Sequence, residues 1–346
     1  MVAGVADLIE RCVRHEEPGA IVLSVRARLG RNLCGYPFPQ RASREQRLEV
    51  RTLATRAAER LQDGSLEVFP LEELSPLERQ ALWECNLLSS ELAQSSEPAG
   101  RALLLNPPRW NVLINEEDHL RLYSALPGKQ LSLALARVHQ AEEEFSRWLL
   151  FARHDKFGYL TSSPLKSGFG LSGSVLVALP ALRLIGHQDL LLQRLRRRGF
   201  AIRGSHGEWA QVIGDIFQVT VAVSAGMDGT AFADRLNQAM VLCERSERNA
   251  REALQTDRAA DLRDWVNRAF GVLKHAQLLS SAESATMLAR VRLGAQLGLL
   301  PSGLQAVAAR AALLARPAVL QVHLGRQMDE AERALERARL LRGMLN

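Results

Sequence analysis

Three consecutive acidic residues interrupt an apolar stretch in the middle of the chain. Glu116, Glu117 and Asp118 follow the apolar residues 112–114 and come shortly before Leu120. A carboxylate that leaves water must be paired with a cation or used in chemistry, so the run is a candidate site for a positively charged ligand. A solvated turn between two strands is the alternative, because charge runs are most often exposed.

A pair of arginines near the start of the chain is a second candidate. The segment 20–28 reads as a β strand, and strand side chains alternate between the two faces of a sheet, so Arg26 and Arg28 share one face. Two adjacent guanidinium groups repel each other unless an anion lies between them. The pattern therefore fits a polyanion site, and it fits equally an exposed strand edge protected by charge.

Two further motifs lie between residues 163 and 173. Residues 168–173 spell G-x-G-x-x-G, but residues 174–182 are strand-like and include Pro180, whereas a dinucleotide fingerprint must open a helix. The alternative interpretation of residues 168–173 is a glycine-rich loop whose backbone amides approach a phosphate group. Residues 163–166 fit S-x-x-K, yet the companion motifs S-D-N and K-T-G do not occur, so we interpret that match as coincidental.

A glycine-punctuated loop at 203–208 contains both a cation, Arg203, and an acid, Glu208. Its glycines allow unusual backbone angles, so the loop could close over a substrate, although a plain turn has the same composition.

The composition is that of an ordinary globular protein, except that nearly all of its basic residues are arginines. The chain has 346 residues, 47% of them hydrophobic and 24% charged, with a formal net charge of +6. Of its 44 basic residues 4 are lysines, which leaves 40 arginines. Arginine is the side chain best suited to bidentate contacts with phosphate or carboxylate, and codon preference is the alternative cause of its abundance.

The 4 cysteines are widely spaced, which indicates neither a zinc site nor a disulfide scaffold. Without a signal-like or membrane-length apolar run, we expect a cytoplasmic protein with no membrane contact.

Strand and helix patterns occupy different parts of the chain. From about 20 to 225, β-like runs alternate with helical stretches such as 42–62 and 131–153. From about 230 onward the periodicity is helical, with breaks at Pro301 and Pro317, which predicts five or six helices.

The motifs together resemble the ATP:guanido phosphotransferase family, in its bacterial branch of protein arginine kinases. The resemblance rests on segments in the family's order: IVLSVRARLGRN, INEEDHLRL, FGYLTSSP, GFGLSGSV and RGSHGEWAQVIGDIFQV. It extends to LWECNLLSSELA, GRALLLN, VRLGAQLGLL and RPAVLQ, and so covers nearly the whole chain.

The resemblance implies an α+β fold, in which an antiparallel sheet flanked by helices forms a catalytic domain over residues 1–230. An all-helical C-terminal domain follows over residues 231–346. It also implies ATP with Mg²⁺ as the phosphoryl donor, with no protein side chain assigned to the metal, and a guanidinium group as the acceptor.

The resemblance also implies roles for individual residues. It makes Glu117 and Glu208 catalytic and places Ser163 at the position of the family's reactive cysteine. It implies a nucleotide site formed by Ser24, Val25, Arg26, Ala27, Arg28, Arg121, Ser172, Gly173, Ser174, Val175, Leu176, Arg203, Gly204, Ser205, His206 and Gly207. In the helical part, the motif that reads phosphoarginine stands as Arg333 and Arg337, four residues apart on one helix face.

Three positions depart from the family's patterns. The family writes C-P-T-N-x-G-T-G-x-R-A-S where this chain has SPLKSGFGLSGS, so the cysteine is Ser163 and a phosphate-binding arginine is Ser172. Ser163 cannot supply a thiolate, and the loss at Ser172 removes one charged phosphate contact, for which Lys166 or another arginine is a candidate replacement. Ala334 replaces the aspartate of R-D-x-x-R-A, so an ordinary solvated helix is the alternative to a working pocket.

The function that follows from the resemblance is a protein-arginine kinase whose mark directs proteins to proteolysis. Its partners would be substrate proteins with an exposed arginine and an activator or a protease complex. A homodimer is a further alternative. A pseudokinase that binds nucleotide or phosphoarginine as an adaptor is the alternative, favoured by the three departures. A kinase for small guanidino compounds and a nucleic-acid-binding protein fit less well, and we expect no nucleic-acid partner.

Overall fold

The computed structural model describes residues 4–15, 18–61, 66–107, 109–204, 214–222 and 224–345. The strands are β1 (Val22–Arg31), β2 (Glu67–Pro70), β3 (Ala102–Asn106), β4 (Trp110–Ile114), β5 (Leu120–Pro127), β6 (Arg153–His154), β7 (Gly158–Tyr159), β8 (Leu171–Ala178), β9 (Phe200–Gly204) and β10 (Ile216–Val221). The helices are α1 (Val5–His15), α2 (Arg44–Arg60), α3 (Pro76–Glu84), α4 (Ser90–Ala93), α5 (Leu131–Ser146), α6 (Pro180–Leu184), α7 (Gln188–Arg197), α8 (Gly229–Asp257), α9 (Ala259–His275), α10 (Ser281–Gln296), α11 (Leu304–Leu314), α12 (Pro317–His323) and α13 (Glu330–Leu345). Short 3-10 helices occupy Leu71–Glu73 and Pro164–Lys166.

Eight of the described strands form one antiparallel sheet in the order β2-β3-β4-β5-β1-β8-β10-β9. The central register pairs Arg28 with Tyr123 and Gly30 with Arg121 across β1 and β5. A two-stranded hairpin of β6 and β7 stands apart from this sheet. The expected α+β fold with an antiparallel sheet and a helical C-terminal part is confirmed.

Strand β1 shows why the sequence forms this sheet. Val25, Ala27 and Leu29 are fully buried on one face, while Arg26 and Arg28 are half-buried on the other. Because β1 lies between β5 and β8, it is an interior strand. The alternative of a charge-protected edge is therefore wrong for these arginines.

Helix α5 covers one side of the sheet next to β4 and β5. Its buried residues recur at helical spacing, among them Leu131, Leu135 and Val138. The Trp110 ring meets Phe145 edge-on, with 5.2 Å between ring centroids, and its indole N–H donates to Glu144 Oε2 at 3.0 Å. The indole thus satisfies its one donor while it fills the core.

The chain divides into two compact units, which consist mainly of residues 24–175 with 220–238, and of residues 4–23, 176–219 and 239–346. In the second unit α9, α10, α11 and α13 enclose a core of alanine, leucine and valine. Small alanines at contacting positions allow helix axes to approach closely. From residue 229 to residue 345 the chain forms six helices, α8 to α13, and Pro317 opens α12 as the sequence predicts.

Two segments differ from their strand-like sequence. In the run 157–163 only Gly158–Tyr159 is a strand, because Gly158 has a φ of +68° and Pro164 follows shortly. The run 174–182 is a strand only to Ala178, since Pro180 opens α6. None of the helices in the described parts of the chain is long and apolar enough to cross a membrane.

Candidate active site

The acidic run forms the turn that connects β4 to β5. The backbone N–H of Asn115 donates to the His119 carbonyl at 2.9 Å, which closes the turn. Asn115 has a φ of +53°, and its side-chain amide donates to the carbonyls of Arg47 and Gly100 at 2.9 and 2.6 Å. Asparagine tolerates this left-handed conformation better than most residues do. Bonds to groups outside the turn therefore fix its shape.

Arg121, near the start of β5, binds both glutamates of the turn. Its Nη1 donates to Glu116 Oε1 at 2.5 Å, and its Nη2 donates to Glu117 Oε2 at 2.7 Å. Only 3% of Glu116 and 1% of Asp118 are exposed. The interpretation as a solvated turn is therefore wrong: Glu116 and Asp118 are buried, and the single guanidinium group of Arg121 bridges the pair of glutamates.

Glu117 is the member of the run with solvent access, since 25% of its side chain is exposed. Lys166 Nζ also forms an ion pair with Glu117 Oε2. Burial alone would raise the pKa of Glu117, but the hydrogen bonds and charges of Lys166 and Arg121 outweigh it and hold the pKa below its usual value. Glu117 is thus an ionised carboxylate that faces two cations.

Asn32, directly after β1, holds the buried half of the turn. Its side-chain Nδ2 donates to Asp118 Oδ1 at 2.7 Å, and its side-chain Oδ1 accepts the His119 backbone N–H at 2.9 Å. The same Asp118 oxygen accepts the backbone N–H of Ser162 at 2.7 Å. A Cβ on Gly30 would collide with the other Asp118 oxygen, so the close approach of strand and turn requires glycine there.

His119 is a buried neutral imidazole. Its Nδ1 accepts the backbone N–H of Leu33 at 3.0 Å, which leaves Nε2 to donate to the Pro37 carbonyl 2.9 Å away. Burial lowers the pKa of His119 to about 4. The ring therefore adds no charge to the site near neutral pH.

Three arginines share the polar face of the sheet beside this turn. Gly30 faces Arg121 in the register, and Arg26, Arg28 and Gly30 lie on the same side of β1. Burial, then the charges of Arg26 and Arg121, lower the pKa of Arg28 well below its usual value. Arg26 donates to the Asn86 carbonyl at 2.7 Å and lies over the Tyr123 ring at 5.7 Å. The mutual repulsion of three guanidinium groups favours a bound polyanion.

The other predicted residues of β1 and β8 contribute mainly backbone and small side chains. Gly173 lies against β1, since a Cβ there would be 2.5 Å from the Arg26 carbonyl oxygen. Of the remaining predicted residues, Val25, Ala27, Ser174 and Val175 are buried, whereas Ser24, Ser172 and Leu176 are half-buried. Ser172 therefore lies on the strand next to the arginines of β1, with a hydroxyl in place of a cation.

Ser163 lies in the segment that covers Glu117. It precedes the 3-10 helix that carries Lys166, and its carbonyl accepts the Thr161 hydroxyl at 2.8 Å. The hydroxyl of Ser162 donates to the Glu117 carbonyl at 2.6 Å. The structure thus brings Ser163 and Lys166 into one short segment with Glu117 beneath it.

The loop residues predicted after β9 are only partly described. Arg203 is an exposed residue of β9, and the buried Gly204 ends that strand. Ser205, His206, Gly207 and Glu208 lie outside the described residues.

The two arginines of the predicted phosphoarginine pocket differ in burial. Arg337 is 3% exposed and donates to two backbone carbonyls, to Ala315 at 2.6 Å and to Leu279 at 2.8 Å. Arg333 is half-buried and donates to the Met328 carbonyl at 2.7 Å. Arg337 thus ties α13 to the C-cap residue of α11 and to the loop 276–280, which is a structural role.

Sequence reasoning missed several supporting residues. Arg31, 1% exposed, binds Glu142 on α5 and stacks on Tyr159, with 3.7 Å from its guanidinium carbon to the ring centroid. The charge of Arg31 and hydrogen bonds from His139 and Arg31 outweigh burial and lower the pKa of Glu142 to about 2. Asn32 was missed as well. Both residues end the segment IVLSVRARLGRN, three and four positions after Arg28, and that segment is the signal that could have identified them.

The site offers an anionic end and a cationic end. Glu117 can align a cationic acceptor, and the arginine face fits the phosphates of a nucleotide. Within the described ranges no group of three His, Cys, Asp or Glu side chains is placed to hold a metal ion.

Family models match most of the chain. Residues 49–250 match the ATP:guanido phosphotransferase C-terminal catalytic domain, and residues 259–346 match the protein-arginine kinase McsB C-terminal domain. A protein-arginine kinase of Halothermothrix orenii is 34% identical over 98% of this chain and 99% of its own length. A protein-arginine kinase of Caldanaerobacter subterraneus subsp. tengcongensis is 35% identical over 94% of this chain and 97% of its own.

Solved guanidino kinases share the fold. The duplicated taurocyamine kinase from Schistosoma mansoni, with bound transition state analog components, is 25% identical, with a TM-score of 0.58 over 72% of this chain and 37% of that one. A lombricine kinase is 22% identical, with a TM-score of 0.57 over 72% of this chain and 77% of that one.

The neutral His119 predicts a stability that depends on pH. Its pKa is lower in the folded state than the unfolded value of 6.5, so the unfolded chain binds more protons between pH 6.5 and 4 and stability falls as the pH falls through that range. We expect His119 to account for about 2.5 kcal/mol of lost unfolding free energy between pH 7.5 and 4.5. Urea denaturation of wild type and His119→Gln at both pH values measures the difference. An equal pH dependence in the two proteins, with the exposed His154→Gln as control, would contradict the neutral buried ring.

The contacts of Arg337 predict that it stabilises the second unit. Arg337→Met leaves two buried carbonyls without their charged donor, so we expect a loss of about 3 kcal/mol in unfolding free energy. Arg333→Met, the matched variant one helical turn away, is expected to lose less than about 1 kcal/mol. Urea denaturation followed by circular dichroism measures both values. Equal losses in the two variants would show that Arg337 is not a structural contact.

Proposed function

The chain belongs to the ATP:guanido phosphotransferase family, and from this premise we propose that it is a protein-arginine kinase. It would transfer the γ-phosphoryl group of ATP to arginine side chains of other proteins. The observation that carries the proposal is the bridge of Arg121 to Glu117, which places an ionised carboxylate beside the arginine face of β1. Relatives named protein-arginine kinase that match 98% and 94% of the chain support the choice of acceptor.

Glu117 would act on the acceptor. A guanidinium group with a pKa above about 12 is not a nucleophile while it is charged, so a carboxylate must align it and help to remove a proton. The acceptor nitrogen would then form a bond to the γ-phosphorus while the bond from phosphorus to the bridging oxygen of ADP breaks. ADP takes that electron pair, and the proton goes to a carboxylate. We propose Glu117 and Glu208 for this task.

Arg26, Arg28 and Arg121 would hold the phosphates. Phosphoryl transfer has a loose transition state whose charge needs stabilisation and in-line positioning, which a fixed arginine cradle supplies. Mg²⁺ bound to the nucleotide would neutralise further phosphate charge. The backbone of Gly173 and Ser174, beside β1, and Arg203 complete the proposed nucleotide site.

An adaptor without turnover is the second candidate. Ser172 lies on β8 next to β1, where the family has a phosphate-binding arginine, and Ser163 replaces the family's cysteine. These replacements affect the chemical step more than binding, so nucleotide binding without transfer fits them. The role of the product as a mark for proteolysis, an activator partner, and the cytoplasmic location stay predictions.

Replacement of Glu117 tests the proposed role. Glu117→Gln keeps the shape but removes the negative charge and the proton acceptor, so we expect kcat to fall about 10²- to 10⁴-fold. The assay follows transfer from radiolabelled ATP to an unfolded arginine-rich protein and scores acid-labile label. Glu143→Gln, an exposed carboxylate on α5, is the control and should retain activity. Wild-type transfer no greater than that of Glu117→Gln would refute the kinase proposal.

Restoration of the family's arginine separates the two candidates. We expect Ser172→Arg to raise kcat about tenfold or more, because it returns one charged phosphate contact worth about 2 kcal/mol. Ser132→Arg, at an exposed position of α5 outside the predicted nucleotide site, adds the same charge and serves as control. ATP binding in calorimetry, with no transfer by wild type or Ser172→Arg, would establish the adaptor instead.

A further inference from the structure

Lys166 forms an ion pair with the carboxylate that the proposed mechanism assigns to the acceptor. Its ammonium group contacts Glu117 Oε2, the same oxygen that accepts Arg121 Nη2. An acceptor guanidinium needs that carboxylate too. Lys166 therefore stands where a substrate cation must bind.

The segment that carries Lys166 does not depend on this ion pair for its position. The hydroxyl of Ser162 donates to the Glu117 carbonyl, and the Ser162 backbone N–H donates to Asp118. On the other side of Lys166, the Ser167 carbonyl accepts the backbone N–H of Gly226 at 3.4 Å. With the segment anchored on both sides of Lys166, the ammonium group is free to change partner without unfolding the loop.

We propose that Lys166 is a specificity-determining residue, whose ammonium group occupies Glu117 until an acceptor guanidinium displaces it. This inference rests on the proposed function, because it concerns the same acceptor site. The side chain of Lys166 is 28% exposed, so a displaced ammonium group can reach water. Displacement also needs a carboxylate that solvent can reach, and Glu117 is the member of the acidic run that has this access.

The exchange would favour arginine over lysine as the acceptor. A guanidinium group donates two parallel N–H bonds to one carboxylate, whereas an ammonium group acts as a point charge. An incoming lysine would offer Glu117 the same contact that Lys166 already makes and would gain nothing from exchange. An incoming arginine replaces one contact with a bidentate pair.

Kinetics of Lys166→Asn test the inference first. Removal of the resident cation frees Glu117, so the KM for an arginine peptide should fall about fivefold, the effect of a modest ion pair. Lys156→Asn changes an exposed lysine outside the site and should leave KM unchanged. A purely structural lysine would lower the thermal midpoint of Lys166→Asn and leave its KM unaltered or higher, which would overturn the proposal.

A binding experiment needs no phosphoryl transfer. The chain has 4 lysines, so reductive methylation with ¹³C-formaldehyde gives few dimethyl-lysine NMR signals, and Lys166→Asn assigns the one of interest. Addition of a peptide with one arginine should shift the Lys166 signal. The same peptide with citrulline should not shift it, because citrulline carries no charge. The signals of Lys129, Lys156 and Lys274 are internal controls.

The outcomes separate this inference from the kinase proposal. A Lys166 signal that moves with the arginine peptide, in a protein that transfers no phosphate, keeps the inference and refutes the kinase. A signal that stays fixed at millimolar peptide, or moves equally with the citrulline peptide, overturns the inference whatever the activity. In Glu117→Gln the arginine-dependent shift should disappear.

Discussion

The burial of carboxylates at one turn is the constraint on which this site depends. Glu116 and Glu117 are adjacent, and an unpaired buried charge costs several kcal/mol. Arg121 meets both with its two terminal nitrogens, and its place opposite Gly30 in the register puts it on the face that carries Arg26 and Arg28. The Arg121 side chain thus stabilises the two glutamates of the turn and joins the anionic end of the site to the cationic end. The register of the sheet, the shape of the turn and the chemistry of the site therefore depend on one another.

Two buried residues of the turn, Asp118 and His119, are held in place by hydrogen bonds. His119 is neutral because burial lowers its pKa to about 4, and burial raises the pKa of Asp118 while Asn32 and Ser162 donate to it. The inward-facing members therefore hold position through hydrogen bonds. Glu117, with its solvent access and lowered pKa, is left as the carboxylate that can exchange a cation. Burial sets Asp118 and His119 apart from Glu117, whose lowered pKa comes from Lys166 and Arg121.

Sequence reasoning succeeded where a local rule links residue to structure. Strand alternation placed Arg26 and Arg28 on one face, Pro301 and Pro317 marked breaks between helices, and the family pattern indicated the antiparallel sheet. It failed where the partner is distant in the chain. Lys166 is 49 positions from Glu117, and Asn32 is 86 positions from Asp118, and no periodicity connects such pairs. Helical spacing placed Arg333 and Arg337 on one face, but it could not show that Arg337 donates hydrogen bonds to the carbonyls of Ala315 and Leu279.

The departures from the family pattern have a common electrostatic meaning. At residue 172 the chain has a hydroxyl where the pattern has a cation, and at residue 166 it has a cation where the pattern has a neutral asparagine. The charge of this segment is therefore conserved, but it has moved from β8, beside the arginines of β1, to the loop over Glu117. In the proposed kinase, weaker stabilisation of phosphate and competition of Lys166 for Glu117 would both slow transfer to a weakly bound acceptor. An acceptor that displaces the ammonium group from Glu117 would be slowed least, so in the proposed kinase this arrangement would lower the rate of transfer and raise discrimination between acceptors.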